Sequence, residues 1–191
     1  MRKEYGMADL FGICPWWLSS ILDNPIRRLV HDPESILSPH IERGQTVLDV
    51  GCGPGTFTIA IANLVGESGR VIAADVQDEM LRIVRDKAER AGLSSRIVTH
   101  KSRPETIGIS EMVDFALAFY MVHEVPDTER FLREVTTLLK PNGRLLIVEP
   151  KYHVSASSFM RTVEAAKSAG LEPVSEPRIR LSRSMLFELA S

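Results

Sequence analysis

From Gln45 onward the chain alternates between two patterns. Short runs of continuous apolar residues are followed by longer stretches in which apolar residues recur three and four positions apart. The first pattern is that of strands covered on both faces, and the second is that of helices with one buried stripe. TVLDV, RVIAAD, RIVTHK, VDFALAF and RLLIVEP read as strands in that order. Residues 56–64 read as a helix closed by Gly66. Asp78 is positioned to cap a second helix that runs to Arg90, with Met80, Leu81, Val84 and Ala88 on one face and Gly92 beyond its end. Asp127 caps a third through Phe131, Leu132, Val135, Leu138 and Leu139, and residues 155–169 form a fourth before Gly170. A weaker helical turn is expected within 105–109. Lys140-Pro141-Asn142-Gly143 reads as a turn, and two last strands are expected at 173–177 and 185–190.

Regular strand–helix alternation predicts an α/β fold, with a mostly parallel sheet, helices on both faces and right-handed crossovers. Ligands of such sheets bind beyond the carboxyl ends of the strands. Residues 1–44 break the pattern. They hold both tryptophans, Trp16 and Trp17, and Asp32-Pro33-Glu34 there announces a short helix with an aspartate cap and proline in its first turn. This segment is too short for its own core. It is expected to be a helical cap or lid on a single structural domain whose ligand-binding part spans 45–191.

Composition narrows the setting. A chain of 191 residues with 44% hydrophobic and 25% charged residues suits one globular domain. A net charge of -2 gives no reason to expect nucleic acid or an anionic membrane as partner. The two cysteines are Cys14 and Cys52, and Cys52 lies inside a glycine turn, so a reduced, cytoplasmic setting is expected. No apolar run is long enough to span a bilayer. The N-terminal stretch is broken by Asp9, Gly12 and Pro15, which argues against a signal peptide.

Residues 47–62, VLDVGCGPGTFTIAIA, carry the chemistry. Gly51, Gly53 and Gly55 stand where the first strand meets the first long helix. Glycine there permits positive φ and lets a ligand approach the backbone. A tight turn with no ligand remains a reading of the glycines alone. Asp75, closing the next strand, adds a carboxylate positioned to accept both hydroxyls of a ribose, unless it only caps a helix. Together they point to a nucleoside across the first two strands. A dinucleotide site would show G-x-G-x-x-G, but Thr56 occupies the place of its last glycine, and Pro54 removes a backbone donor from the turn. Asp49, just beneath, sets a negative charge against a diphosphate and in favour of a cationic or zwitterionic ligand.

That stretch, followed by VIAADVQDEML, VDFALAFYMVHEVPD and LLKPNGRLLIVEP, resembles the class I S-adenosylmethionine-dependent methyltransferases over about residues 45–150. Within the class it is most similar to small-molecule enzymes of the quinone-biosynthesis type. The resemblance implies a Rossmann-like three-layer αβα sandwich with a seven-stranded sheet of order 3-2-1-4-5-7-6. It also implies roles. Gly51, Cys52, Gly53 and Gly55 would line the methionine part and the ribose of the cofactor, S-adenosylmethionine, with Asp49 near its amino group. Asp75 would take the ribose hydroxyls, and Val76, Gln77 and Met80 would flank the adenine. The family usually has an acidic residue after the third strand. Here His100-Lys101-Ser102-Arg103 stands there, leaving Ser102 or the backbone to meet the adenine. Phe119 and Tyr120 would border the methyl donor.

A methyl group on a sulfonium is already activated, and a base is needed only for an acceptor that arrives protonated. His123, just past the fourth strand, is the candidate base, against the alternative of a histidine hydrogen-bonded for structure. Tyr120 is the second catalytic candidate. Glu149 and His153, after the fifth strand, together with Trp16 and Trp17, are candidates for the acceptor pocket. The two histidines and a carboxylate lack the tight spacing of a metal site, so no metal is expected. Ala118-Phe119-Tyr120-Met121 replaces the NPPY-type motif, which argues against planar amino groups as acceptors. The expected protein is a cytoplasmic monomer or homodimer that methylates a small molecule. The alternatives are a nicotinamide-dependent oxidoreductase with a variant fingerprint and a non-catalytic S-adenosylmethionine-binding partner or sensor.

Overall fold

A computed structural model describes residues 31–190. The expectations for Trp16 and Trp17, and for the cap before His31, lie outside the described residues. The elements run α1 (Pro33–Leu37), β1 (Thr46–Val50), α2 (Thr56–Val65), β2 (Arg70–Asp75), α3 (Asp78–Arg90), β3 (Ile97–Lys101), β4 (Val113–Phe119), a 3-10 turn (Val122–Glu124), α4 (Thr128–Leu138), β5 (Leu139–Pro150), α5 (Ala156–Ser168), β6 (Leu171–Ser175) and β7 (Ser182–Leu189). The seven strands form one sheet of order β3-β2-β1-β4-β5-β7-β6. All pairs are parallel except β5 with β7 and β7 with β6. This is the three-layer Rossmann-like sandwich that the sequence led one to expect.

The central strands bury both faces, and successive residues serve opposite layers. Val47 of β1 and Leu146 and Val148 of β5 pack with α2 and α3, while Leu48, Val50, Leu145 and Ile147 pack with α4 and α5. Leu37, the last residue of α1, and Ile41 belong to the first of these cores. Asp32 caps α1 as read from the sequence, accepting from the Glu34 backbone at 3.2 Å and the Ser35 hydroxyl at 2.6 Å. No helix among the described residues is long and apolar enough to cross a membrane.

Some boundaries differ from the sequence reading. The cap of α3 is Gln77; Asp78 is already helical, and its carboxylate instead meets Lys101 Nζ at 2.9 Å. The Lys140–Gly143 turn, with Asn142 at φ 64°, lies inside β5 and shifts its register against β4. The last strand begins at Ser182.

The helical turn expected at 105–109 is absent. The carboxylate of Glu134, on α4, accepts from Thr106 Oγ1 (2.7 Å), Ile107 N (3.1 Å) and Gly108 N (2.9 Å). The two backbone donors, Ile107 N and Gly108 N, are held by a distant side chain, so no local helix is needed to satisfy them. Glu134→Ala should therefore cost about 1–2 kcal/mol, with water replacing part of what is lost at the exposed end of the loop. A urea titration checks this, and an unchanged midpoint would refute it.

Candidate active site

The carboxyl ends of β1, β2, β4 and β5 converge on one edge of the sheet. The chain leaves β1 through three consecutive alternate glycines in left-handed conformations, Gly51 at φ 64°, Gly53 at 51° and Gly55 at 81°. Two of them are also sterically required. A Cβ at Gly51 would lie 2.8 Å from Met121 Cβ, and one at Gly55 would lie 2.9 Å from Val84 Cγ2. At Gly53 a Cβ would meet nothing within 4 Å. That glycine alone faces open space, which fits a cradle whose floor a ligand can touch.

Asp75 ties this turn to the next strand. Its Oδ2 accepts from Gly53 N at 2.9 Å and its Oδ1 from Gln77 N at 2.8 Å. Each oxygen keeps a lone pair for a further donor. Burial raises the Asp75 pKa, opposed by these backbone N–H groups and by Lys101. Asp49 lies deeper, 2% exposed, with the Thr58 hydroxyl donating to it at 2.6 Å. Burial pushes its pKa to about 7, with Thr58 opposing and the charge of Asp75 adding to the rise. Cys52 is buried beside both, and burial and their charges push its thiol well above the ordinary range. It is therefore a packed side chain and no nucleophile.

On the adenine side of the expected site, Met80 and Ser102 are buried, while Val76 and Gln77 are half-buried. The Val76 carbonyl accepts from Lys101 Nζ at 2.7 Å. The Ser102 hydroxyl donates to Ile107 O at 3.1 Å, so toward a ligand it has only acceptor capacity left. Phe119 is buried against Phe57, with ring centroids 4.1 Å apart.

Tyr120 follows at φ 62°, a conformation rare for a bulky residue and the kind of strain that gathers at functional sites. Its hydroxyl is 2.6 Å from Ser182 Oγ and 3.2 Å from His31 Nε2, while His31 Nε2 is 2.8 Å from Arg180 O. The phenol is thus engaged with β7 and the N-terminal segment, which gives it a bracing role that the sequence reading did not contain.

His123 is gripped twice by Glu149, a side chain only 1% exposed at the end of β5. Its Nδ1 is 2.5 Å from Glu149 Oε2, and its backbone N–H donates to Oε1 at 3.2 Å. Burial lowers the imidazole pKa, but the hydrogen bond and charge of Glu149, with Glu124, outweigh this, and the net shift is upward. The His153 ring lies 4.7 Å from that of His123. Both histidines line a cavity of about 410 Å3 between α4 and α5. Among the described residues, no three His, Cys, Asp or Glu side chains gather to hold a metal ion. A second cavity, of about 420 Å3, lies at the opposite sheet edge among Arg43, Asn63 and Arg96 and includes no part of the glycine turn.

Sequence reasoning missed Thr58, Met121, Glu134 and Ser182. Thr58 carried a signal, a second hydroxyl after Thr56 in an otherwise apolar helix start. The others act across the fold and carried none.

Comparison with known proteins agrees with this geometry. A family model described as a methyltransferase domain matches residues 41–176. The Klebsiella pneumoniae ubiquinone/menaquinone biosynthesis C-methyltransferase UbiE is 36% identical over 110 residues, covering 57% of this chain and 44% of that protein. The chain thus spans less than half the length of that curated relative. A crystal structure of a SAM dependent methyltransferase from Aquifex aeolicus superposes with TM-score 0.85 and 26% identity, covering 93% of this chain and all of that one. A SAM-dependent O-methyltransferase from Thermotoga maritima, at 20% identity and TM-score 0.67, covers 84% of this chain and 65% of its own and shares the fold.

Proposed function

The chain belongs to the methyltransferase-domain family, and from that membership we propose that it transfers a methyl group from S-adenosylmethionine to a small-molecule acceptor. The observation that carries this reading is the glycine turn tied to Asp75, with open space over Gly53. The residues present fit the cofactor. Asp75 takes the ribose hydroxyls on its remaining lone pairs, Gly53 forms the floor, and Asp49 is the countercharge for the amino group. Val76, Gln77 and Met80 form the adenine wall, where Ser102 is limited to accepting. When bound, the cofactor supplies an electrophilic methyl on sulfur. The chain's part is to position donor and acceptor in line and to exclude water.

The acceptor side lies past β4 and β5, where Glu149 holds His123 and the His153 ring adjoins it, with Tyr120 just after β4 turned to Ser182 and His31. The K. pneumoniae relative is named as a C-methyltransferase of quinone biosynthesis, which makes a hydroquinone the natural first probe. The net charge of -2 and the free, buried Cys52 support a cytoplasmic setting without nucleic acid as substrate. Nothing in the comparisons favours the nicotinamide-dependent or sensor alternatives.

Isothermal titration with S-adenosylhomocysteine and with NAD tests the cofactor. Binding of NAD alone would overturn the reading. The same titration on Gly53→Ala separates a cradle from a mere turn. The substitution should cost about 1–2 kcal/mol of stability for its positive φ. S-adenosylhomocysteine affinity should fall at least tenfold, because the added methyl occupies the open face. Unaltered affinity would mean that no ligand rests there.

A further inference from the structure

We propose that Glu149 is the positioning residue that makes His123 a proton acceptor, holding the ring so that Nδ1 carries the hydrogen and Nε2 faces the acceptor. This rests on the methyl-transfer reading above and assigns the proton step within it. A carboxylate oxygen 2.5 Å from Nδ1 requires a hydrogen on that nitrogen. In the neutral ring the accepting lone pair is then on Nε2. The second bond, from the His123 backbone to Oε1 at 3.2 Å, fixes the short 3-10 turn on which the ring rides. One buried carboxylate thus sets tautomer, ring orientation and backbone together, and its position at the end of a central strand makes it rigid.

The surroundings suit a base more than a buried ion pair. The His123 side chain is 19% exposed and borders the cavity between α4 and α5. The charged and titratable groups around it are Glu149 from β5, Glu124 on its own turn with Oε1 3.9 Å from Nε2, and His153 from the segment after β5. Glu129 of α4 and Arg161 of α5 line the same cavity. The carboxylates nearest the ring stabilise the imidazolium that forms when a proton arrives.

In the step itself the acceptor's O–H bond breaks, its electron pair stays on oxygen, and an N–H bond forms at Nε2. The methyl acceptor served by such a base is one that arrives protonated at its reacting oxygen or at a hydroxyl conjugated with its reacting carbon. A thiol, partly ionised near neutral pH, or an aromatic amine, which presents its lone pair unprotonated, needs little such help.

The test uses the full chain with 15N-labelled histidine, wild type and Glu149→Gln. Glutamine keeps the size and can still accept from Nδ1, but it removes the charge. In the wild type, NMR should show His123 with hydrogen on Nδ1 and a pKa above that of free histidine. In the variant its proton affinity should fall at least tenfold. A structural role alone would permit that shift, so turnover is read as well. With tritiated S-adenosylmethionine and hydroquinone, the acid limb of kcat against pH should follow the NMR pKa and move with it in the variant. A limb that stays in place, transfer confined to a thiol or aromatic-amine probe, or cofactor binding without transfer to hydroquinone would each overturn the assignment. Failure of the wild type to bind S-adenosylhomocysteine would instead overturn the methyltransferase reading beneath it.

Discussion

Asp49→Asn should make the ligand-free protein more stable at pH 8 while weakening its hold on the cofactor. The buried carboxyl titrates at about 7 in the folded chain against 3.8 for the ordinary side chain. A carboxyl with a raised pKa binds its proton more tightly when folded. Its contribution is therefore most favourable below pH 3.8 and is lost as pH climbs toward 7, after which it is flat. That difference corresponds to a penalty of roughly 4 kcal/mol in neutral and basic solution. Asparagine has the same shape and keeps an oxygen for the Thr58 hydroxyl, but it brings an NH2 group that the site does not serve, at about 1–2 kcal/mol. A net gain of about 2–3 kcal/mol at pH 8 is expected, shrinking to nothing near pH 5. Urea titrations of both proteins across that range give the difference directly. A difference independent of pH would remove Asp49 as its cause.

On the proposed reading, the same charge would serve binding. The proposed ligand brings an ammonium group to a carboxylate that is half-protonated near neutrality. Binding near pH 7 should then release a fraction of a proton, visible as a dependence of the calorimetric heat on the buffer's ionisation enthalpy. Asp49→Asn should abolish that release and reduce affinity together. The stability gained and the affinity lost are two effects of one desolvated charge.

How much of this was legible in the sequence depends on distance along the chain. The sheet order came with the resemblance, and the strands themselves came from apolar runs whose meaning is local. The glycine turn was legible because three positive φ angles in a row permit little else than glycine. The Asp127 cap was legible because its partner, Arg130 N, is three residues on. What failed was decided elsewhere in the fold. Asp78 reads locally as a cap, but Lys101, brought alongside by the pairing of β2 with β3, claims its carboxylate. Residues 105–109 read as a weak helical turn because nothing local says that Glu134 will take the N–H groups of Ile107 and Gly108. His123 and Glu149 were each singled out, yet their bond spans 26 residues and exists only because β4 and β5 are neighbours. Tyr120 was expected to border the methyl donor. That Ser182, 62 residues on, would hold its hydroxyl was invisible, because β7 enters the sheet antiparallel beside β5.

Asp75→Ala should lower S-adenosylhomocysteine affinity by about 1.5–3 kcal/mol, some ten- to hundredfold, and the structure adds a reason beyond the ribose. The carboxylate holds Gly53 N and Gln77 N, so alanine removes the ribose acceptor and at the same time frees the turn that forms the cradle floor. Asp75→Asn separates the two effects. Its oxygen can keep Gln77, but its NH2 group then meets the N–H of Gly53, donor against donor. If the ribose bonds dominate, asparagine should lose less than alanine, since one acceptor survives. If the cradle dominates, it should lose as much or more. Calorimetry on both variants, with adenosine as a second ligand that lacks the methionine tail, decides between them. Loss of adenosine binding in proportion assigns the effect to the ribose. Retention of adenosine with loss of S-adenosylhomocysteine assigns it to the glycine floor. An unchanged dissociation constant for both ligands in the alanine variant would take Asp75 out of the site altogether.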